Sequence, residues 1–580
     1  MISVERSFYE KFPRLAAGPA RSFAQPVVTL LRRIACEERI NAALAEIGEL
    51  SGFAFVERVL ERLDIGYRVA NTDRENIPVE GRVVIVANHP LGALDALALV
   101  HLVGSVRRDV RILANDVLLQ FKPLAPMLLP LPVFGSGNAV RGLREAHRAL
   151  EAGQALIVFP AGEVSRMGAR GIRDGAWSPG FVRLAQRSGA PVLPVHVAAQ
   201  NSPMFYGVSM LARPLASLLL AREMFGAARA RIDFQVGGLV PCSALNRDGT
   251  EVRRIAAHMR RHVYRLPRRR PAVFETSTAI AHPEPARALR ASLASAETLG
   301  RTRDGKSILL VDAAADDPVL REIGRLREIA FRRVGEGTGS RRDIDRYDLH
   351  YRHLVLWDEM ALAIVGAYRI GEVGSILRER GMEGLYSASL FEFAPEADAF
   401  LADSIELGRS FVQPAYWGSR SLDYLWQGIG AYLRARPQVR YLFGPVSLSA
   451  ALPIEAREWI VQYHRHFHGD ADGLARARNP FHVSDAIVRE SRLLWDGRDR
   501  DEAFARLQAR LQALGATIPV LYRQYVDLCE PEGIRFLDFG VDPAFAGCVD
   551  GLVRLELGRM VPAKRRRYVE DSRQVFRPSH

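Results

Sequence analysis

The sequence contains few cysteines, few lysines and no long uninterrupted apolar run. Its four cysteines are scattered over 580 residues, and no Cys-x-x-Cys pair or Cys/His cluster occurs. A disulfide framework and a structural zinc site are therefore not expected, and a reducing cytoplasm suits such a chain. Residues 1–14 carry several charges and no apolar core, so we expect no secretory signal peptide.

The longest stretches without a charged residue are poor candidates for membrane spans. Residues 188–212 are interrupted by three prolines, whereas a spanning helix needs about 20 consecutive apolar residues. Residues 208–220 are apolar around Arg213, and such a segment is typical of contact with a membrane surface. We therefore expect the chain to lie on a membrane without crossing it.

Positive charge is abundant, and arginine supplies nearly all of it. The formal net charge is +13, although the chain has only four lysines. A basic protein is attracted to nucleic acid, anionic lipid or acidic partner proteins. The arginines are not interleaved with aromatic side chains in any recognisable nucleic-acid-binding module, so nucleic acid is not an expected partner. The basic run 564–567 instead favours contact with anionic lipid.

Short β-branched runs alternate with helical periodicity along the first half of the chain. Strands are predicted over 83–87, 155–159, 191–197 and 232–236, and helices over 94–103, 141–151 and 180–188. This alternation indicates an α/β fold class. A basic segment closes the first domain, 1–270, and an Ala-, Pro- and Glu-rich connector spans 271–304. A strand at 307–311 opens the second domain, 305–580.

A histidine and a carboxylate follow the first predicted strand. His89 lies just after this strand, and Asp95 lies at the start of the next helix. Such a carboxylate can hold the imidazole in one tautomer and stabilise the imidazolium formed when a hydroxyl loses its proton. The pair is therefore a candidate general-base dyad, with a purely structural role as the alternative.

A second polar loop follows the strand 155–159. Its residues Phe159-Pro160-Ala161-Gly162-Glu163-Val164-Ser165-Arg166 offer backbone amides, a hydroxyl and a guanidinium to an anion. A further turn, 189–191, leads into another buried strand. In this order and spacing, the three blocks resemble the glycerolipid acyltransferases, whose motifs are Asn-His-x4-Asp and Phe-Pro-Glu-Gly-Thr-Arg-Ser.

This resemblance, over roughly residues 70–240, implies transfer of a fatty acyl group from acyl carrier protein or coenzyme A to a lipid hydroxyl. It implies catalytic roles for His89 and Asp95. Substrate-binding roles are implied for Asn88, Phe159, Pro160, Gly162, Glu163, Ser165 and Arg166. The sequence departs from the family because five residues separate His89 from Asp95, with Gly92 as a bulge position. Ala161, Glu163 and Val164 replace the glutamate, threonine and arginine of the second family motif, and Arg166 comes two places after the family arginine. This altered pattern does not favour a phosphate-bearing acceptor, and an acceptor with a carboxylate instead would need a guanidinium such as that of Arg166.

Charged residues recur at short spacing between residues 320 and 412. Glu406 and Arg409 alternate with apolar residues as in a strand, where buried charges are costly unless they are paired. The set resembles the acyl-homoserine-lactone synthases, which have the N-acetyltransferase (GNAT) fold, and still more the ornithine N-acyltransferases of ornithine lipid synthesis. Matching segments include 322–328, 335–339, 406–412 and 425–429.

The second resemblance, over nearly all of 305–580, implies N-acylation of an amino acid. Glu406 is the implied base for the amine, with Asp345 or Glu336 as alternatives. Substrate contacts are implied for Arg327, Phe331, Asp345, Asp348, Arg369 and Arg409. Because Glu406 and Arg409 would point to opposite faces of a regular strand, we expect a bulge at Gly408.

A loop after the strand that ends at Val412 is expected to bind the phosphate of the acyl donor at a helix N-terminus. It contains Gly418, Ser419 and Arg420 but lacks the usual glycine-rich pattern of this fold. The single phosphate on the phosphopantetheine arm of acyl carrier protein needs few amides. Acyl carrier protein, whose acidic helices suit arginine-rich surfaces, is thus the expected donor and partner, with coenzyme A as the alternative. No bound cofactor is expected.

Three alternate histidines, His464, His466 and His468, would point the same way on a strand and make a metal site conceivable. Apart from Asp470, no carboxylate or cysteine lies close to them in sequence. We therefore expect a polar loop at this position and no bound metal.

Both halves together resemble the bifunctional ornithine lipid synthases. The implied enzyme joins a 3-hydroxyacyl group to the α-amine of ornithine and then esterifies the hydroxyl of this lyso-lipid with a second fatty acid. Lysine or glycine is the alternative amino acid. We expect a peripheral protein at the cytoplasmic face of the bacterial inner membrane. The alternative functions are a 1-acylglycerol-3-phosphate acyltransferase fused to an N-acyltransferase for another amine, and a non-catalytic acyl-binding membrane protein.

Overall fold

The computed structural model describes most of the chain in two compact units, Met1–Ala279 and Ile280–His580. The described residues are 3–12, 15, 19–114, 122–130, 138–168, 171–202, 205–206, 223, 231–246, 251–268, 270–312 and 314–570. The predicted membrane-contacting segment 208–220 lies outside them. Across the described ranges, no helix combines the length and the apolar character needed to cross a bilayer.

A mixed sheet forms the middle of the first unit. Its strands in chain order, with one separate hairpin of β6 and β7, are β1 (Gly66–Val69), β2 (Val83–Ala87), β3 (Val110–Ala114), β4 (Leu128–Pro130), β5 (Ala155–Val158), β6 (Arg166–Gly168), β7 (Gly171–Arg173), β8 (Val192–Ala198) and β9 (Arg231–Val236). The seven-stranded sheet has the order β1-β9-β8-β2-β5-β3-β4. The five strands from β8 to β4 are parallel, whereas β9 is antiparallel to β8.

Helices cover both faces of this sheet. The longer helices are α1 (Val4–Lys11), α2 (Pro19–Ile34), α3 (Glu37–Ile47), α4 (Gly52–Arg62), α5 (Ala93–Gly104), α6 (Asn138–Glu151), α7 (Gly180–Ser188) and α8 (Val252–Val263). The central strand β2 is apolar at every position and entirely buried. Val83 and Ile85 pack in one core with α4 and α5, while Val84 and Val86 pack in the other with α6, α7 and α8. Alternation along a strand thus holds β2 between two cores and fixes the position where its polar loop begins.

The second unit is built around an eight-stranded sheet. Its strands, with a small separate pair of β14 and β17, are β10 (Glu297–Arg301), β11 (Ser307–Asp312), β12 (Arg352–Asp358), β13 (Ala363–Glu372), β14 (Phe391–Phe393), β15 (Ser404–Val412), β16 (Tyr441–Leu448), β17 (Ala475–Ala477), β18 (Ile534–Asp542) and β19 (Cys548–Glu556). The order in the sheet is β10-β11-β12-β13-β15-β16-β19-β18. All neighbours are antiparallel except β15 and β16.

The parallel pair β15 and β16 separates partway along its length. Residues 404–406 pair with 441–443, whereas the remaining residues of the two strands do not pair with each other. Longer helices flank the sheet: α9 (Ala286–Leu293), α10 (Pro318–Arg333), α11 (Val373–Arg380), α12 (Ser421–Arg434), α13 (Ile454–His468), α14 (Asp485–Trp495), α15 (Arg500–Ala513) and α16 (Val520–Val526). The separation of β15 and β16 leaves an opening in the middle of the sheet.

The structure differs from the sequence analysis in two places. The predicted connector 271–304 contains α9, whose Leu289 and Leu293 are buried in a core of the second unit, and the edge strand β10. The segment is therefore largely part of the second fold. The three histidines lie at the end of α13 rather than on a strand or loop. Helical spacing brings His464 and His468 together, with their Nδ1 atoms 3.4 Å apart, because residues four apart share a helix face.

Candidate active sites

His89 and Asp95 are in contact in the first unit. His89 lies on the loop after β2, and its Nδ1 is 2.8 Å from Oδ1 of Asp95, which is completely buried in the first turn of α5. The other oxygen of Asp95 accepts the backbone N–H of Leu91 at 2.7 Å. Gly92 adopts a φ of +83°, which lets the loop absorb the additional residue. The expected contact across five intervening residues is thus present.

The surroundings of His89 favour its protonation. Burial disfavours the charged imidazolium, but the charge of Asp95, its hydrogen bond to the ring and the charge of Asp174 together raise the pKa of His89 above its ordinary value. The ring of Phe159 stacks on the imidazole with centroids 4.1 Å apart. Nδ1 faces Asp95, so Nε2 is the nitrogen left to accept a proton from a substrate hydroxyl.

The neighbouring Asn88 serves to hold the loop in place. Its amide donates to the carbonyl of Val197 at 2.9 Å and accepts the N–H of the same residue at 2.7 Å. The side chain therefore joins the loop after β2 to β8. The amide keeps a second N–H and a second lone pair on its oxygen, so the predicted substrate contact of Asn88 stays a prediction.

Asp174 is a buried organiser of this site that the sequence analysis did not identify. Its carboxylate accepts the backbone N–H of His89 at 3.2 Å, the hydroxyl of Ser165 and the indole N–H of Trp177. Burial raises the pKa of Asp174 despite these donors. The residue follows the short hairpin of β6 and β7 and has no recognisable motif around it, so only its contacts reveal its role.

The second polar loop is arranged differently from the predicted anion cradle. Ser165 is buried, and its hydroxyl donates a hydrogen bond to the carboxylate of Asp174. Its backbone N–H donates to the carbonyl of His89 at 2.8 Å. Arg166 pairs with Glu163 at 3.0 Å. Gly162 has a φ of +66°, and Pro160 accepts a backbone hydrogen bond from Ser178. The loop thus braces the dyad, and Arg166 can bind an acceptor only by sharing or leaving Glu163.

An apolar cavity of about 140 Å³ lies in the first unit. It lies between α3, α4 and α5, and its walls include Phe55, Ala93, Leu97, Val100 and Met127. Ala93, Leu97 and Val100 share one face of α5, whereas Asp95, two positions from Ala93 and Leu97, lies on the opposite face. Such a cavity can hold a hydrocarbon chain, because removing apolar surface from water is favourable.

Three arginines and three aspartates form a buried ionic network in the second unit. Arg327 contacts Asp348 at 2.8 Å, and Arg369 contacts Asp345 at 2.7 Å and Asp348 at 3.3 Å. Burial alone would raise the pKa of Asp348, but the two guanidinium groups hold it well below its usual range. Arg327, Asp348 and Arg369 are fully buried, which does not favour the direct substrate contacts predicted for them, and those contacts stay predictions.

Arg409 connects this network to a cavity. Its guanidinium lies 3.6 Å from Asp343 and 3.8 Å from Asp345. It also covers the ring of Phe545 at 4.6 Å. The predicted bulge is present. Gly408 pairs with Arg369 and Phe411 pairs with Ala367, so three steps along β15 lie opposite two steps along β13. The left-handed residue is Arg409, with a φ of +49°, rather than Gly408.

The cavity lies where β15 and β16 separate and has a volume of about 70 Å³. Its walls comprise Phe331, Glu336, Tyr386, Gly408, Arg409, Ser410, Pro445, Val446, Ser447, Leu521, Tyr525, Phe545 and Asp550. Burial raises the pKa of Glu336 to about 7, and its carboxylate accepts the hydroxyl of Ser447 at 3.1 Å. Burial and the nearby Asp542 raise the pKa of Asp550 to about 8. Both carboxylates are thus poised to exchange protons near neutral pH.

Glu406 is not among the residues that line this cavity. Its carboxylate is buried and accepts the hydroxyl of Tyr351 and the backbone N–H of Ser387 at 2.7 Å. Burial raises its pKa. The geometry therefore favours Glu336, one of the predicted alternatives, and Asp550 over Glu406 as the base. The sequence analysis did not identify Asp550. The signal that could have found it is a carboxylate among the apolar residues of strand β19.

The predicted donor loop joins β15 to α12. Gly418 has a φ of +76°, and the hydroxyl of Ser419 bonds to the Tyr416 carbonyl at 2.6 Å. Arg420 pairs with Asp423 in the first turn of α12. The loop therefore leads into a helix N-terminus, as expected, and binding of a donor phosphate there stays a prediction.

The histidines of α13 do not form part of a metal-binding group. Within the described ranges, no cluster of three or more histidine, cysteine or carboxylate side chains could hold a metal ion. His464 and His468 are buried among aromatic rings, and burial lowers the pKa of both. They are neutral parts of the core.

Comparison with known families gives the class of protein. A family model described as "Acyltransferase" matches residues 6–268, and one described as "Acetyltransferase (GNAT) domain" matches residues 326–427. The first contains the His89 dyad, and the second contains the ionic network around Arg369. The chain is thus an acyltransferase with an acyltransferase-like domain followed by a GNAT-like domain.

Individual relatives define the family. A glycine N(alpha)-acyltransferase of Phocaeicola vulgatus is 31% identical over 297 residues, which are 49% of this chain and 90% of the relative. A lyso-glycine lipid O-acyltransferase of the same organism is 30% identical over 253 residues, 42% of this chain and 88% of the relative. An L-ornithine N(alpha)-acyltransferase of Brucella abortus is 32% identical over 142 residues, 22% of this chain and 49% of the relative. The chain belongs to the family of N- and O-acyltransferases that these relatives represent.

Proposed function

We propose that this chain makes a two-chain amino acid lipid, with ornithine as the amino acid. The second unit acylates the α-amine with a 3-hydroxyacyl group, and the first unit esterifies the 3-hydroxyl with a second fatty acid. The contact between His89 and the buried Asp95 is the observation that carries the O-acylation step. Support for the overall sequence of steps comes from relatives named for N-acylation and for lyso-lipid O-acylation.

In the first unit, Nε2 of His89 accepts the proton of the lyso-lipid hydroxyl as its oxygen attacks the thioester carbonyl. A C–O bond forms, the C–S bond breaks, and the imidazolium gives the proton to the departing thiolate, which leaves as a thiol. Asp95, 2.8 Å from Nδ1, stabilises the imidazolium during this exchange. The apolar cavity between α3, α4 and α5 accommodates a fatty acyl chain.

In the second unit, Glu336 or Asp550 removes a proton from the α-ammonium group, because only a neutral amine can attack the thioester. A C–N bond forms, the C–S bond breaks, and the proton that the nitrogen loses after attack passes to the departing thiolate. Arg409 at the cavity wall can bind the carboxylate of the amino acid.

Two carboxylates in one cavity support ornithine rather than glycine. One can act as the base, and the other can pair with the side-chain ammonium group of ornithine, which glycine does not have. The ornithine N(alpha)-acyltransferase from Brucella abortus supports the same choice. Acyl carrier protein remains our proposed donor, and the cytoplasmic face of the inner membrane our proposed location, because both supply acidic partners for a chain of net charge +13.

The test is expression of the chain in a bacterial host that lacks amino acid lipids, followed by mass spectrometry of extracted lipids. We expect a new ornithine lipid with an amide-linked 3-hydroxyacyl chain and an ester-linked second chain. Formation of glycine or lysine lipids instead would show that ornithine is not the amino acid that the chain acylates. Accumulation of phosphatidic acid alone would favour the glycerolipid alternative, and an unchanged lipid profile would favour a non-catalytic acyl-binding protein.

Replacement of the base separates the two steps. His89→Ala should reduce O-acylation by about 10²- to 10⁴-fold, as loss of a general base typically does. The mono-acylated lyso-lipid should then accumulate, because the second unit is unchanged. Normal amounts of two-chain product from this variant would exclude the dyad as the catalyst.

A further inference from the structure

A pocket of about 340 Å³ in the first unit is lined almost entirely by arginine. Its walls are formed by β7, by α8 and by the segment that follows α8. The charged lining residues are Arg173, Arg260, Arg261, Arg265, Arg268 and Arg270. Tyr264 is the aromatic side chain among them.

Among the described residues, no carboxylate neutralises the positive charge of this arginine pocket. In the part of the chain that the structure describes, no Asp or Glu side chain lies within ion-pair distance of the six guanidinium groups. Arg260 and Arg265 donate instead to the backbone carbonyls of Asp174 and Pro271, at 2.5 and 3.0 Å. Burial, together with Arg173 and Arg268, lowers the pKa of the adjacent His196. Gathered like charges repel each other, and a bound anion would relieve this repulsion.

The arginine pocket is connected to the dyad through two hydrogen bonds. Arg173 and Arg260 lie over the ring of Tyr264, at 4.9 and 5.7 Å from its centroid. The hydroxyl of Tyr264 accepts the backbone N–H of Asp174 at 2.8 Å. The carboxylate of Asp174 in turn accepts the backbone N–H of His89. An anion in the pocket therefore binds close to the loop that carries the catalytic base.

We propose that the arginine pocket binds the phosphate of the acyl donor for O-acylation. This inference rests on the proposed function. Guanidinium groups match phosphate oxygens in bidentate geometry. The thioester must reach His89, and the pantetheine arm separates it from the donor's phosphate, so a phosphate site belongs beside the dyad rather than within it. The concave shape suits a phosphate on a ligand that enters the protein better than a flat lipid surface.

Coenzyme A and acyl carrier protein share this chemistry but differ in phosphate number. Coenzyme A presents a diphosphate and a 3′-phosphate, whereas the arm of acyl carrier protein presents one phosphodiester. Titration calorimetry of the full chain with 3′,5′-ADP and with 4′-phosphopantetheine separates the two sources. Tighter binding of 3′,5′-ADP would indicate coenzyme A, and comparable binding of 4′-phosphopantetheine would indicate acyl carrier protein. Binding of neither compound would overturn the proposal.

The test variant is Arg261→Gln/Arg268→Gln, because both side chains are exposed and neither holds the Asp174 loop. Arg183→Gln/Arg187→Gln on α7 is the matched control, with the same change in charge at exposed positions outside the pocket. We expect the test variant to raise the Kd of the bound probe about 10-fold or more, since charge-assisted hydrogen bonds are the strong ones. The control should bind as the unmodified chain does. Equal binding by both variants would overturn the proposal.

Steady-state kinetics then connect the pocket to the reaction. The test variant should raise the KM for the acyl donor and leave the KM for the lyso-lipid unchanged. A raised KM for the lyso-lipid alone would assign the pocket to the acceptor, and weaker binding to anionic vesicles alone would assign it to the membrane. Either result overturns the proposal. If the chain bound a probe through this pocket but formed no ester, the phosphate site would stand and the proposed O-acylation would be refuted.

Discussion

At the scale of single residues, the two sites differ in how their bases are prepared. His89 carries a raised pKa because Asp95 and Asp174 together outweigh the effect of burial. Glu336 and Asp550 carry raised pKa values because burial penalises their charged forms. A histidine base is paired with a fixed counter-charge, whereas a carboxylate base requires desolvation to approach neutral pH.

The raised pKa of His89 predicts the pH dependence of O-acylation. The imidazole must be neutral to accept a proton, so the rate should increase as pH rises through a pKa above about 6.5, the ordinary histidine value. Asp95→Asn removes one of the charges that raise this pKa. We expect the acidic limb of the pH–rate profile to move to lower pH while kcat falls. An unchanged limb would show that His89 is not the titrating base.

The cavity carboxylates predict which substitution abolishes N-acylation. The rate of N-acylation should increase as pH rises through the Glu336 pKa of about 7, and Glu336→Gln should remove this increase. The substitution should also lower the rate of N-acylation by about 10²- to 10⁴-fold. O-acylation of supplied lyso-lipid should remain, as it depends on the other unit. Glu406→Gln is the comparison, because its buried carboxylate contacts Tyr351 and Ser387 rather than the cavity. Loss of N-acylation in the Glu406 variant alone would restore Glu406 as the base.

At the scale of secondary structure elements, function depends on where strands end. β2 is a fully buried strand, and His89 lies just after its end. β15 is buried along its first half, and Arg409 lies in its second half. In each case a left-handed residue, Gly92 or Arg409, redirects the chain. Such positions cost free energy unless the surroundings impose them, and they gather at functional sites.

Gly92 provides the test of this arrangement. Gly92→Ala places a side chain at a φ of +83°, which should cost about 1–3 kcal/mol of stability. It should also move Asp95 away from His89 and lower O-acylation. Gly153→Ala is the control, with a φ of +80° in the turn before β5 and open space around the added methyl group. Stability is measured by denaturant unfolding, and activity is measured as ester formation. If the two variants lost the same stability and kept the same O-acylation activity, a role for Gly92 in positioning the dyad would be contradicted.

The sequence predicted elements and local pairs better than distant partners. Apolar alternation and the Asn-His motif located β2 and the dyad, because these signals lie within a few residues of each other. Asp174 was missed because it joins His89 across 85 positions without a motif. Arg327 and Arg369 were interpreted as substrate contacts, because a buried ionic network and a binding site use the same residue types. Only the fold shows which charges neutralise each other.

At the scale of the whole molecule, one polypeptide joins two acyl-transfer domains. The product of the proposed N-acylation is a single-chain lipid that serves as the acceptor for O-acylation. Such an intermediate partitions into membranes, so a chain that remains on the membrane surface keeps access to it. The net charge of +13 supplies an attraction to anionic lipid.

Electrostatic attraction predicts that membrane binding depends on salt. Exposed charges are screened over about 10 Å at 0.1 M salt and about 3 Å at 1 M salt. The full chain should therefore sediment with phosphatidylglycerol vesicles at 0.1 M salt and be released at 1 M salt. Pure phosphatidylcholine vesicles, which lack net charge, are the control and should retain little protein at either concentration. Retention on both kinds of vesicle at 1 M salt would instead indicate that apolar insertion holds the protein on the membrane.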